Sequence, residues 1–133
     1  MSKLFAKISP WADLAGRFLM AFIFMTTGYG KIGGFEGTQG FMESMGVPGE
    51  LLPLVIITEL GGGLLLMLGL FTRYTALALA GFTILAGYIF HGGSEDMMQQ
   101  IMLAKNMAIA GGFLVLVANG AGKFSLDRRF GRS

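Results

Sequence analysis

Six polar side chains in an otherwise apolar chain could do chemistry: Glu59, Lys105, Asn106, Arg17, Lys31 and His91. Glu59 is the most informative. It lies near the middle of LLPLVIITELGGGLLLMLGLF, residues 51–71, a run long enough to cross a bilayer as a helix. A carboxylate at that depth costs roughly 2.5–3.5 kcal/mol on insertion scales, so it has to be hidden, paired or protonated. Ionisable residues within a membrane are by default functional candidates with a partner to be named. Lys105 is the first candidate partner and Arg17 the second. Asn106, Lys31 and His91 could complete one polar cluster, with Lys105 and Asn106 as donors and Glu59 as proton acceptor.

Five of these residues also have a plainer role. Arg17 could pair with Asp13 one turn back or snorkel to the nearer interface. Lys105 could snorkel outward. Lys31 and His91 could be ordinary interfacial residues. Glu59 could belong to a buried ion pair that only specifies packing.

Four apolar runs can position these groups: 12–29, 51–71, 74–90 and 101–118. Ser9-Pro10 reads as an N-cap and first-turn proline that open the first span, and Trp11 suits a membrane–water interface. A cleaved signal peptide is disfavoured, because Asp13 and Arg17 break its apolar region and no A-x-A site follows. Residues 30–50 form the longest loop, with an interfacial half-turn at Thr38–Met45. Phe71-Thr72-Arg73-Tyr74 reads as a tight turn. Gly61, Gly62 and Gly63 allow a neighbouring helix to approach closely, and Ala104, Ala108 and Gly112 form a second small-residue stripe. The polar tail KFSLDRRFGRS is expected to lie on the inner membrane surface, its basic residues meeting anionic headgroups.

Four spans place both termini and the 72–73 turn on one side. That side carries Lys3, Lys7, Arg73, Lys123, Arg128, Arg129 and Arg132, against Lys31 alone in the opposite loops. The bias predicts cytoplasmic termini. At 1.5 Å rise per residue, Glu59 falls roughly 12 Å and Lys105 roughly 6 Å from the outer ends of their helices, and Arg17 roughly 9 Å from the inner end of the first. The cluster is therefore expected in the outer half, with Arg17 reaching toward it.

The 133 residues are 53% hydrophobic and only 14% charged, with mean hydropathy +0.65, the balance of an integral membrane protein. A single domain over residues 1–133 is expected. The absence of cysteine excludes disulfides, thiolate metal sites and dithiol chemistry. One histidine cannot hold a haem between two His ligands. GKIGGFEG and GAGK follow no strand, so neither is a phosphate loop. The ten methionines read as filler rather than a copper path. No metal is expected, and a nucleic-acid surface lacks its residues.

Taken in order, the pattern resembles the DoxX family of small bacterial inner-membrane proteins. The matching pieces begin with Arg17, Gly28-Tyr29-Gly30-Lys31, Phe35-Glu36-Gly37-Thr38 and Gly46-Val47-Pro48. They continue with Glu59, Gly62-Gly63, Gly69-Leu70-Phe71-Thr72-Arg73 and Phe90-His91, then Lys105-Asn106, Gly111-Gly112 and Ser125-Leu126-Asp127. The resemblance implies an all-α fold, an integral membrane four-helix bundle. The family is named after a subunit associated with a terminal quinol oxidase, and related subunits occur in a thiosulfate:quinone oxidoreductase. Relatives often carry aromatic residues after the Phe-His pair. Here Gly92-Gly93-Ser94 follows, so a His-plus-Trp headgroup contact is not expected.

Three functions fit these residues. The first is a redox-associated subunit that binds a quinone or similar amphiphile, electrons coming from an oxidoreductase partner protein. The second is a permeation protein for a proton or small metabolite, with Glu59 as its gate, in which case a homo-oligomer is expected. The third is a structural or assembly partner in the lipid bilayer. No self-sufficient catalytic constellation is present. A lipid-like ligand at Glu59 would favour the first, a continuous wet path the second, and a dry, fully paired cluster the third.

Overall fold

A computed structural model describes residues 2–131; Met1, Arg132 and Ser133 lie outside them, and with Arg132 one of the basic residues counted above. Among the described residues every regular element is helical. In order these are α1 (Ser2–Gly33), α2 (Phe35–Ser44), α3 (Leu52–Leu68, entered through a 3-10 turn at Gly49–Leu51), α4 (Thr72–His91), α5 (Met97–Asn119) and α6 (Leu126–Arg129). The first, third, fourth and fifth of these are long and apolar enough to cross a membrane.

The spans read from hydropathy correspond to these four helices, but their ends differ. The helix expected to start at Ser9-Pro10 instead runs through both residues, with Pro10 inside α1. Pro10 removes one backbone donor early in the helix, and Ser9 Oγ donates to the Phe5 carbonyl at 2.6 Å. At 32 residues, α1 is about 48 Å long, well beyond the roughly 30 Å of bilayer hydrocarbon. The half-turn expected at Thr38–Met45 is the longer helix α2. It ends in a Schellman motif: Val47 N–H donates to Met42 O at 2.9 Å and Gly46 N–H to Glu43 O at 3.1 Å, with Gly46 at φ +82°. The expected turn at 71–74 lies slightly earlier. Gly69 (φ +68°) ends α3 in the same motif, and Thr72 already belongs to α4.

Helix α1 packs along α3, α4 along α5, and α3 meets α4. The Phe24 and Phe113 rings, 5.4 Å apart, join α1 to α5 and close the circle. The dry core at this level is Ala21, Phe24, Leu66, Ala76, Leu79, Ala80 and Phe113. Of the three consecutive glycines, two touch neighbours. A Cβ on Gly63 would lie 2.6 Å from Met25 Cγ, and one on Gly62 3.0 Å from Leu79, whereas Gly61 faces open space. The second stripe faces differently from expectation: Ala104 and Ala108 are exposed, and only Gly112 is close-packed, against Met20.

The bundle has two distinct ends. At one, α2 folds over the helix ends and buries Met42 against Leu52 and Ile56, with Phe41 stacked on Phe90. At the other, the C-terminal segment is pinned to the bundle. Asp127 is buried, and its two carboxylate oxygens accept from Phe71 N–H (2.7 Å) and Thr72 N–H (2.8 Å), while its own N–H donates to Gly69 O at 2.9 Å. It caps the N-terminus of α4 from 55 residues away in sequence, satisfying orphan donors with a negative charge. Leu126 is partly buried with it, Phe124 packs on Trp11 (ring centroids 4.8 Å), and Phe130 is exposed.

Candidate functional site

The helix periodicity places Thr27 and Lys31 one turn apart on the face of α1 that meets α3. There they receive Glu59. Lys31 Nζ lies 2.5 Å from Glu59 Oε1, and Thr27 Oγ1 donates to Glu59 Oε2 at 2.9 Å. The Glu59 side chain is 6% exposed and that of Lys31 29%. The carboxylate is thus removed from water but fully engaged, which is what makes its burial tolerable. Among the described residues this is the one ion pair within 4 Å.

The pair lies on the wall of a cavity of about 510 Å³ between α1, α3, α4 and α5, partly covered by α2. Its lining is mainly apolar, including Phe24, Val55, Phe82, Ala86, Phe90 and Ile109. Five of the six residues singled out from the sequence also line it: Glu59, Lys31, His91, Lys105 and Asn106. On the α4–α5 side, Asn106 Nδ2 donates to the Thr83 carbonyl at 3.2 Å. At the mouth, His91 Nδ1 lies 2.6 Å from Gln99 Oε1, which ties the end of α4 to the start of α5. Below the cavity, the Phe24–Phe113 contact begins the dry core.

Two expected pairings are corrected. Glu59 is not paired with Lys105; its cation is Lys31. Hydropathy alone ends the first span at Tyr29 and places Lys31 in the loop that follows. Helix α1 continues to Gly33, and so holds Lys31 on the same face as Thr27. Arg17 does not reach the cluster at all. It is buried at the opposite end, where it donates to Leu66 O (2.8 Å), Met67 O (3.4 Å) and Phe124 O. Leu66 is roughly 10 Å along α3 from Glu59, so the guanidinium serves the C-terminus of α3 and the chain before α6. There a cation is favoured by the free carbonyls. The alternative pairing of Arg17 with Asp13 is likewise not formed within 4 Å.

Asp127 and Thr83 carry polar roles that sequence reasoning missed. From the sequence, Asp127 belongs to a tail expected on the inner membrane surface, with no partner assigned to it. Thr83 looked like one hydroxyl in an apolar span, yet its Oγ1 is buried with no hydrogen-bond partner. Among the described residues, no three His, Asp or Glu side chains converge as a metal site would require.

A mainly apolar cavity with a few polar groups, set into four helices long enough to cross a membrane, defines a multi-pass helical membrane protein. Comparison with known proteins makes this specific. The DoxX family model matches residues 12–92. The inner membrane protein YqjF of Escherichia coli K12 is 50% identical over 122 residues, covering 92% of this chain and 94% of YqjF. The inner membrane protein YphA of the same organism is 35% identical over 132 residues, 94% of each chain. A Bacillus subtilis protein named "Putative oxidoreductase CatD" is 33% identical over 107 residues, 75% of this chain and 80% of that one. No solved structure matches the chain. The chain belongs to the DoxX family and is a multi-pass protein of the bacterial inner membrane.

Proposed function

We propose that this protein is a redox-associated membrane subunit that binds a quinone or similar amphiphile in the α2-covered cavity. The observation that carries the reading is the cavity itself. Its volume of about 510 Å³ falls within the 300–1,000 Å³ of small-molecule sites, and it combines an apolar lining with a few placed polar groups, as such sites do. Lys31 and Thr27 hold the Glu59 carboxylate in place on one wall. Electrons would come from an oxidoreductase partner protein. The printed name of the Bacillus subtilis relative is in keeping with that class of partner.

The same geometry gives less support to the other two readings. The dry core around Phe24 and Phe113 interrupts any wet path toward the opposite end, so permeation lacks a route. A purely structural cluster would be fully paired, whereas Thr83 Oγ1 is buried with no partner. The orientation that follows from the Lys/Arg bias puts the Arg17–Asp127 end in the cytoplasm and the cavity toward the outer face.

Filling the cavity tests the proposal. Ala86 lines it, and Ala86→Phe should occupy much of its middle. The wild-type protein, purified in mild detergent, should carry an amphiphile at near-stoichiometric amount by mass spectrometry of its organic extract. The Ala86→Phe variant should lose it while keeping its melting temperature. Equal and substoichiometric extracts from both proteins would refute the proposal.

A further inference from the structure

We infer that the occupant of the cavity is an amphiphile with a single anionic head, received by Lys105 and the Thr83 hydroxyl on the α4–α5 wall. The inference rests on the reading of the cavity as an amphiphile site and names the chemistry of the ligand's head.

The charges on the cavity wall do not cancel. Its charged residues are Lys31, Glu59 and Lys105. Lys31 and Glu59 neutralise each other at 2.5 Å, which leaves Lys105, an exposed residue of α5, as the one unbalanced positive charge on this lining. Among the described residues no carboxylate lies within 4 Å of it. A neutral ligand would leave that charge uncompensated. A cationic ligand would worsen the imbalance. An anionic head cancels it.

The hydroxyls point to the same wall. Thr27, Thr38, Thr58 and Thr83 all line the cavity. The first three donate within the protein, to Glu59 and to the carbonyls of Gly34 and Leu54 respectively. Thr83 is 4% exposed, and its Oγ1 has neither donor nor acceptor. Buried polar atoms are rarely left unsatisfied, and an oxyanion would accept this O–H. The Asn106–Thr83 hydrogen bond holds α5 to α4 here, and Lys105 is the adjacent residue on α5. Cation and orphan donor therefore belong to one wall, opposite the satisfied Glu59–Lys31–Thr27 wall. Two kinds of molecule share the required chemistry: the carboxylate of a fatty acid, and the ionised hydroxyl of an acidic quinone.

The test compares chain-matched probes on the full-length protein in a nonionic detergent by titration calorimetry: dodecanoate, dodecanol and dodecylammonium. A second arm compares a 2-hydroxy-3-alkyl-naphthoquinone, ionised at pH 8, with its analogue lacking the hydroxyl. The expected result is that each anion binds at least about tenfold more tightly than its neutral match, since charge-assisted hydrogen bonds are the strong ones. Lys105→Met should abolish that preference, Lys105→Arg should keep it, and Thr83→Val should weaken anion binding severalfold. The two arms tell a lipid-derived acid from a redox ring. Equal binding of dodecanoate and dodecanol by the wild-type protein overturns the inference and leaves the amphiphile site standing. So does a preference that survives Lys105→Met. Failure of every probe to bind overturns both readings.

Discussion

Replacing Lys31 by Met should destabilise the protein through Glu59. The variant keeps the length of the side chain and removes only the ammonium, so the Glu59 carboxylate is left with the Thr27 hydroxyl as its sole partner. Breaking a buried pair by removing one member typically costs about 3–5 kcal/mol. The Lys31 side chain is 29% exposed, so water shares in stabilising the pair, and about 2–3 kcal/mol is the expected loss. Glu59→Gln should cost much less, because the amide oxygen still accepts from Thr27 and no charge remains to be buried. The double variant should then be nearly as stable as Glu59→Gln alone, giving a coupling energy of about 2 kcal/mol in a double-mutant cycle. The assay is reversible unfolding in mixed micelles of increasing dodecyl sulfate fraction, read by far-ultraviolet circular dichroism. If Lys31→Met is as stable as the wild type, or if the two losses simply add, the pair does not carry the energy assigned to it.

Other expectations concern the opposite end and the helix contacts. Arg17→Met should cost about 3 kcal/mol, because a buried guanidinium donating to carbonyls of α3 and to Phe124 is lost. It should also speed tryptic cleavage at Lys123 and Arg128, as the segment before α6 comes free. Asp127→Ala should cost about 1–2 kcal/mol by uncapping α4, and its effect should be less than additive with that of Arg17→Met. Gly63→Ala should destabilise by about 1–3 kcal/mol, since its Cβ would sit 2.6 Å from Met25 Cγ and 3.2 Å from the Ala21 carbonyl. Gly61→Ala, which meets nothing within 4 Å, should be neutral or gain up to about 1 kcal/mol of helix propensity. The same micelle titration checks all of these stabilities.

The four spans were legible because bilayer thickness imposes an apolar length that no soluble helix needs. Their ends were not, because backbone hydrogen bonding carries α1 beyond the hydrocarbon in both directions, through Pro10 and on to Gly33. That extension decides the site. Counting residues along a helix gives depth, and depth alone made Lys105 look like the partner of Glu59. Azimuth decides contact, and it is set by Lys31 being helical and one turn from Thr27. The face of α5 was similarly hidden: the helix is apolar nearly all round, so its sequence does not say that Ala104 and Ala108 face outward. Arg17 was read as reaching outward because a buried cation suggests a carboxylate. A helix C-terminus offers carbonyls that serve as well, and those of Leu66 and Met67 lie nearer. The docking of Asp127 depends on two backbone N–H groups of a turn more than fifty residues away, a pairing with no local trace.

Photolabelling with a twelve-carbon chain bearing a diazirine, offered as both the acid and the alcohol, tests the amphiphile site most directly. After irradiation in detergent, tandem mass spectrometry locates the adducts. Occupancy of the cavity should concentrate labels on its lining, at Thr58, Ala86 and Asn106, and Ala86→Phe should remove them. Labels confined to outward faces such as Leu19, Leu77 and Val115, unchanged by Ala86→Phe, would contradict the cavity as a binding site.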